Sequence, residues 1–190
     1  VMNEAVLTIG SYDGLHRGHQ EVINRVVTTA KALNTKSVVV TFDPHPKKVV
    51  SGKDNFELLM HIDKKLELLD FMGVNITLVV PFDRGFSSTS APEFLKSVIV
   101  EKFNPSKIIV GYDHRFGHNR EGDGEFLQDQ SSNYGYDLEI VSGVGDQDVI
   151  YSSSRVRKLI KEGHVQRASY DLGWVYGFYA TVVRGSGRGQ

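Results

Sequence analysis

Short apolar runs alternate with stretches of helical spacing along this chain. Ala5–Ile9 is an apolar run closed by Gly10 and predicts a strand. Val22, Ile23, Val26, Val27, Ala30 and Leu33 then share one face at helical spacing. Ser37–Phe42 is β-branched and continuous, as in a strand covered on both faces. Lys64–Met72, with Leu66, Leu68, Leu69 and Phe71, predicts a helix stopped by Gly73, and Asn75–Val80 predicts a third strand. Ser90, Pro92 and Glu93 supply an N-cap, an early proline and the capping-box acid, and Phe94, Leu95, Val98, Ile99 and Phe103 continue that helix on one face. A fourth strand is predicted over Lys107–Val110, a helix over Glu125–Tyr134 and a fifth strand over Leu138–Val141. Ser153 or Ser154 is placed to cap a last helix running to Glu162, with Gly163 behind it.

Strands separated by helices imply right-handed crossovers and a mostly parallel sheet, here a Rossmann-like, doubly wound α/β fold of about five strands. Such sheets bind ligands beyond the carboxyl ends of their strands, so the chemistry is expected in those loops. One domain is expected over residues 1–175. Residues 176–190 read as a tail or the truncated start of something further: Gly177–Val183 is strand-like, and a Gly- and Arg-rich stretch follows it.

Composition narrows the chemistry. A length of 190 residues fits one domain of ordinary size. Lys and Arg number 22 against 23 Asp and Glu, a net charge of −1, which argues against a nucleic-acid binder while leaving a local anion site open. With no cysteine, disulfide scaffolds, Cys-zinc sites and thiol catalysis are excluded. No apolar run approaches the roughly 20 residues that span a bilayer, and no signal peptide is visible, so a cytoplasmic protein without membrane partners is expected. Oligomeric state is not legible.

The most informative segment is Gly10-Ser11-Tyr12-Asp13-Gly14-Leu15-His16-Arg17-Gly18-His19, between the first strand and the first helix. Glycines at 10, 14 and 18 let backbone N–H groups approach an anion, and the helix opening near Gly18 favours phosphate. His16 and His19 are three apart, so both rings can reach that helix end. Two imidazoles at a phosphate site suit phosphoryl or nucleotidyl transfer, which needs positioning and charge stabilisation more than a nucleophile. The helix end disfavours imidazolium and a bound triphosphate favours it, so both protonation states stay open. A chain with these 7 histidines and 19 glycines contains H-x-G-H by chance about 0.03 times. The loop is neither a Walker loop nor the dinucleotide G-x-G-x-x-G.

H-x-G-H on such a loop is similar to the nucleotidyltransferase superfamily, which includes class I aminoacyl-tRNA synthetases. The string from Ile9 to Gln20 resembles the N-terminal adenylyltransferase module of prokaryotic FAD synthetases, the riboflavin kinase/FMN adenylyltransferases. Three more segments match that family in order: Thr41–Pro46, Val110–Gly117 and Ser152–Arg157. The resemblance implies transfer of AMP from ATP to FMN, giving FAD and pyrophosphate, without a covalent intermediate. It implies catalytic roles for His16, His19 and Arg157. ATP would be held by Gly10, Ser11, Tyr12, Asp13, Gly14, Gly18, Gly111, Ser153, Ser154 and Arg157. Flavin would be held by Pro44, His45, Pro46, Phe82, Asp113 and Phe116. Magnesium is expected on the phosphates, mainly through water, without a dedicated protein site.

The residues also carry readings of their own. Pro44 and Pro46 predict a rigid, non-helical lip after the second strand. Ser152–Ser154 before a helix, with Arg155 and Arg157, predict a second anion site. Phe82 and Phe86 suit a flavin pocket or plain packing equally. His114 stands where the family usually has an aromatic residue, Ser11 where it often has Asn and Tyr12 where it has Phe. The P-T-A-N motif of the kinase part is not in this sequence, so riboflavin phosphorylation is not expected. The alternatives are a related transferase with another phosphorylated acceptor and a flavin- or nucleotide-binding protein without catalysis.

Overall fold

Ala5–Ile9 (β1) is buried at every position, because both faces of a central parallel strand are covered by helices. The computed structural model describes residues 4–51, 56–147, 149–178 and 180–185. Five parallel strands form one sheet in the order β3-β2-β1-β4-β5, the other four being Lys36–Asp43 (β2), Ile76–Pro81 (β3), Pro105–Gly111 (β4) and Asp137–Val141 (β5). The strand order reverses between β1 and β4, which opens a crevice at their carboxyl ends. The doubly wound expectation therefore holds.

Alternation along the strands sorts the core into two layers. Leu7, Ile9, Val38, Val40, Phe42, Ile108 and Val110 pack on one side with Phe94, Leu95, Ile99, Phe103 and Leu127. Val6 and Ile109 face Val22, Val26 and Ala30 of helix α1 (Arg17–Ala32) on the other. Val39 joins Ile23, Val27 and Leu69 there, the last from helix α3 (Ile62–Phe71). Burying one such side chain fully is worth about 1.5–3 kcal/mol.

Several elements depart from the expected pattern. Helix α1 stops at Ala32, so Leu33 lies outside it and is exposed. Helix α3 lies over only part of the sheet; Leu69 is buried while Leu66 and Phe71 face solvent. Residues 91–103 form one helix in three pieces, α4 (Ala91–Phe94), a π-helical stretch Leu95–Val100, and α5 (Glu101–Phe103). Ser90 caps it as expected, its hydroxyl accepting the Glu93 N–H. Pro46 opens a short helix, α2 (Pro46–Ser51), so the lip after β2 is only partly non-helical. Helix α6 (Gly124–Tyr134) lies where expected.

After β5 come a small hairpin, β6 (Gly145–Asp146) with β7 (Val149–Ile150), and two helices, α7 (Ser153–Lys161) and α8 (Val165–Leu172). Ser152 caps α7, accepting from the Arg155 N–H, in place of the expected Ser153 or Ser154. Helix α8 was not expected: its buried face carries Ala168 and Leu172 but also Asp171, which breaks the apolar repeat. No strand forms among the described residues of 177–183; Tyr179 and residues 186–190 lie outside the described part.

Candidate active site

The β1–α1 loop turns back on itself before the helix opens. Tyr12, Gly14 and Leu15 all have positive φ, +46°, +85° and +41°. Two non-glycine residues in the left-handed region mark a loop held in place by its surroundings. Gly10 donates its N–H to Val40 O, and the Tyr12 ring lies directly over Gly10. Tyr12 is buried and bonds Thr8 Oγ1 at 2.5 Å, so it braces the loop from inside.

His16 and His19 lie together at the mouth of α1. Their rings are stacked, with centroids 3.6 Å apart and planes 25° from parallel, and Tyr12 meets His19 edge-on at 5.1 Å. Gly18 leaves room for the His16 ring, since a Cβ there would sit 3.2 Å from His16 Nδ1, tighter than ordinary contact. The Nδ1 atoms of both rings are closed to solvent and have no hydrogen-bond partner among the described residues. Burial drives His16 down to about 4, Asp171 partly opposing, and holds His19 well below the usual imidazole range, with the charges of His16 and Lys65 adding to the effect. The pair is therefore neutral at neutral pH, with ring nitrogens unspent, at a helix N-terminus.

The C-terminal helices complete this loop. Ser153 Oγ donates to Asp13 O at 2.7 Å, Gln20 Nε2 bridges Leu15 O and Leu172 O at 2.7 and 2.6 Å, and Trp174 Nε1 donates to Gly14 O at 3.0 Å. Arg155 and Arg167 both pair with Asp171, which is fully buried. A cleft of about 320 Å³, lined in part by Arg17, Gln20 and Tyr151, opens beside the start of α1.

Two of the residues expected on ATP are paired with each other. The Asp13 carboxylate is buried, bonds the Arg157 guanidinium, and accepts the Leu59 N–H at 3.0 Å. Burial pushes its pKa up, outweighing the guanidinium's pull. Asp13 thus ties the loop to α7 and to residue 59. Arg157 Nε also donates to Glu57 O at 2.7 Å, and its guanidinium lies over the Phe56 ring at 4.5 Å. Ser154 is exposed in the first turn of α7, and the Ser11 carbonyl faces inward to a lysine described below.

On the flavin side the outcome is mixed. Pro44 is exposed, but His45 is buried: its ring is 4.6 Å from Phe56 and its Nδ1 accepts the Lys47 N–H, bracing the first turn of α2. Phe82 meets Phe42 at 5.7 Å, Phe42 meets Phe94 at 6.1 Å, and Phe94 meets Phe116 at 5.6 Å, so an aromatic chain runs from the end of β2 to the loop after β4. Asp113 is exposed beside Gly111 at the crevice. His114 stacks on Phe116 at 5.4 Å and 22°, keeping the geometry an aromatic residue would supply.

Lys65 was missed by sequence reasoning. It is 6% exposed on α3, and its Nζ donates to Ser11 O at 2.7 Å and Thr41 Oγ1 at 3.3 Å. Burial lowers its pKa, with Asp13 and Asp43 opposing. The one available signal was a lysine at the helix position four residues before Leu69, on the buried stripe.

Four wholly or partly buried histidines make stability acid-sensitive. His16 and His114 are pushed down to about 4, His45 to about 3, and His19 well below its usual range, each chiefly by burial. An unfolded imidazole binds its proton near pH 6.5, so below that pH the unfolded state holds more protons. The stability these rings contribute is complete above 6.5 and lost as pH falls through 4. Unfolding at pH 5 is expected to take up about three to four protons, a slope of about 1.4 kcal/mol per pH unit for each. Denaturant unfolding at pH 7, 6 and 5 measures it; a flat profile would contradict the buried, neutral assignment.

Comparison with known proteins agrees with this geometry. The model of the FAD synthetase family matches residues 1–155. The bifunctional riboflavin kinase/FMN adenylyltransferase of Escherichia coli K12 is 31% identical over 185 residues, covering 97% of this chain and 59% of that protein. The protein of the same description from Buchnera aphidicola subsp. Schizaphis graminum is 29% identical over 191 residues, 100% of this chain and 61% of the relative. This chain thus spans about three fifths of the length of both. A putative protein of that description from Geobacillus thermodenitrificans is 33% identical over 171 residues, 90% of each chain. A solved structure described as a macrolide-efflux protein from Streptococcus pneumoniae superposes with a TM-score of 0.80 at 29% identity, over 90% of this chain and 56% of that one. Among the described residues no helix is long and apolar enough to cross a membrane. With a family match across most of its length and the H-x-G-H histidines stacked at the mouth of α1, the chain belongs to the FAD synthetase family.

Proposed function

We propose that this chain transfers AMP from ATP to the phosphate of FMN, giving FAD and pyrophosphate, and that residues 1–175 form the unit that does so. The observation that carries the reading is the stacked His16–His19 pair with unpartnered Nδ1 atoms at the opening of α1. A phosphate oxygen of FMN attacks the α-phosphorus of ATP in line, the bond from that phosphorus to the bridging oxygen breaks, and pyrophosphate leaves. The imidazoles donate to the phosphoryl oxygens where charge grows, and a bound triphosphate favours their protonated forms. The N–H groups at the start of α1 add their dipole.

Arg157 uses Nε on Glu57 O and one terminal nitrogen on Asp13, so of its five N–H donors some remain for the outer phosphates. Ser154, exposed beside it, serves the same phosphates, and the Phe82–Phe116 chain with Asp113 and the Pro44 lip borders the flavin. Magnesium on the phosphates would neutralise charge, with phosphate oxygens and water as its ligands; among the described residues no three His, Asp or Glu groups gather to hold a metal. We place the reaction in the cytoplasm.

Incubation with FMN, ATP and magnesium, followed by chromatography, is expected to show FAD and pyrophosphate in equal amounts. Binding of FMN and ATP without pyrophosphate release would replace the enzyme with a binding protein.

A further inference from the structure

Positive charge is scarce at the heart of this site. Burial disfavours the charged forms of His16 and His19, and Arg157 is matched by Asp13. Lys65 is different. It is buried, it makes no ion pair among the described residues, and its two hydrogen bonds go to neutral oxygens, Ser11 O and Thr41 Oγ1. Asp13 and Asp43 act on it only from longer range.

Its position joins two loops. Ser11 belongs to the turn before α1, and Thr41 lies near the end of β2, whose Oγ1 also donates to Ser11 O at 3.3 Å. The same ammonium is close enough to push down the pKa of His19 in the first loop and His45 in the second. A desolvated ammonium with only neutral partners destabilises a fold, since a neutral side chain of similar length packs there more easily. A group kept at such a cost, with a third N–H unspent, fits a site whose charge is completed by an incoming anion.

We infer that Lys65 is the fixed cation that receives a phosphoryl group of a substrate at the junction of the two loops. The inference deepens the adenylyltransferase reading and rests on it. The chemistry is that of a phosphate oxygen accepting a charge-assisted hydrogen bond from Nζ. It comes from the acceptor FMN or from ATP, and pairs of ligands differing only in phosphate separate the two sources.

The test measures dissociation constants for FMN against riboflavin and for ATP against adenosine, each ligand alone, in the wild type and in Lys65→Met. The variant is expected to weaken FMN or ATP by about tenfold to a hundredfold. Riboflavin and adenosine should be held as before, and melting should be no lower than in the wild type. The phosphorylated ligand that suffers names the source. Equal losses for a ligand and its phosphate-free parent, or no loss in either pair, overturn the inference. Should Lys65→Met melt well below the wild type, Lys65→Gln, which can still donate to Ser11 O without the charge, is measured on the same four ligands. A wild type that binds neither FMN nor ATP overturns the adenylyltransferase reading itself, and Lys65 falls with it.

Discussion

Alanine at His16 or at His19 is expected to lower the rate of FAD formation on the order of 10²–10³-fold, the loss seen when one preorganised donor to a developing oxyanion is removed. The loss should fall on kcat, because a donor that strengthens as charge builds contributes more to the transition state than to bound ATP. Stability should change little by comparison. Each substitution removes ring packing, but it also removes a buried Nδ1 with no partner, and these effects oppose one another. Since the rings touch at 3.6 Å, they act as a unit, and the double variant should be only slightly slower than the worse single one. Turnover surviving in both single variants would end the adenylyltransferase reading. Rate losses that multiply would show instead that each ring acts alone.

The loops at the carboxyl edge were legible because glycine, histidine and proline carry local information. Five strands and the main helices follow from apolar spacing, since each buries one stripe or two faces. What the sequence conceals are partnerships over long separations. Asp13 and Arg157 both stand out as polar residues in phosphate-binding segments, but nothing local says that they pair across 144 positions. Lys65 sits on the buried stripe of α3, where periodicity expects an apolar residue; only the fold shows that the stripe passes beneath Ser11 and Thr41. Helix α8 escapes for a related reason, as Asp171 lies on its inner face and is acceptable there only because Arg155 and Arg167 reach it from two helices. The π-helical turns at Leu95–Val100 are hidden too, because apolar side chains fill that face whether the helix is regular or widened.

Glycine at position 117 marks the other place where the backbone, more than any side chain, fixes the site. Its φ is +73°, and a Cβ there would lie 2.7 Å from the Ala91 N and 2.8 Å from the Ala91 Cα. Backbone at the start of α4 cannot swing aside as a flexible side-chain tip can, so Gly117→Ala meets two penalties. With ψ at 174° residue 117 lies in a region essentially reserved for glycine, which costs an L residue about 1–3 kcal/mol, and the forced displacement adds about 1–3 kcal/mol. Melting is expected to drop by about 5–15 °C. Gly135 is the comparison: its φ is also +73°, but its ψ of 31° is ordinary left-handed backbone and nothing lies within 4 Å of its Cβ position, so Gly135→Ala should show only the milder left-handed penalty of about 1–2 kcal/mol. The functional consequence follows from what Gly117 adjoins. Phe116 is held by a bridge to Gly122 and packs on Phe94, and His114 stacks on it, so moving residue 117 away from Ala91 shifts the rings at the crevice. KM for FMN should therefore rise in Gly117→Ala at temperatures well below its melting point, while KM for ATP changes little, because the β1–α1 loop is braced from α3, α7 and α8. Equal rises in both constants would mean that the loop after β4 serves the nucleotide as much as the acceptor, and a melting point no lower than that of Gly135→Ala would mean that both α4 and the backbone at 117 yield to the added carbon.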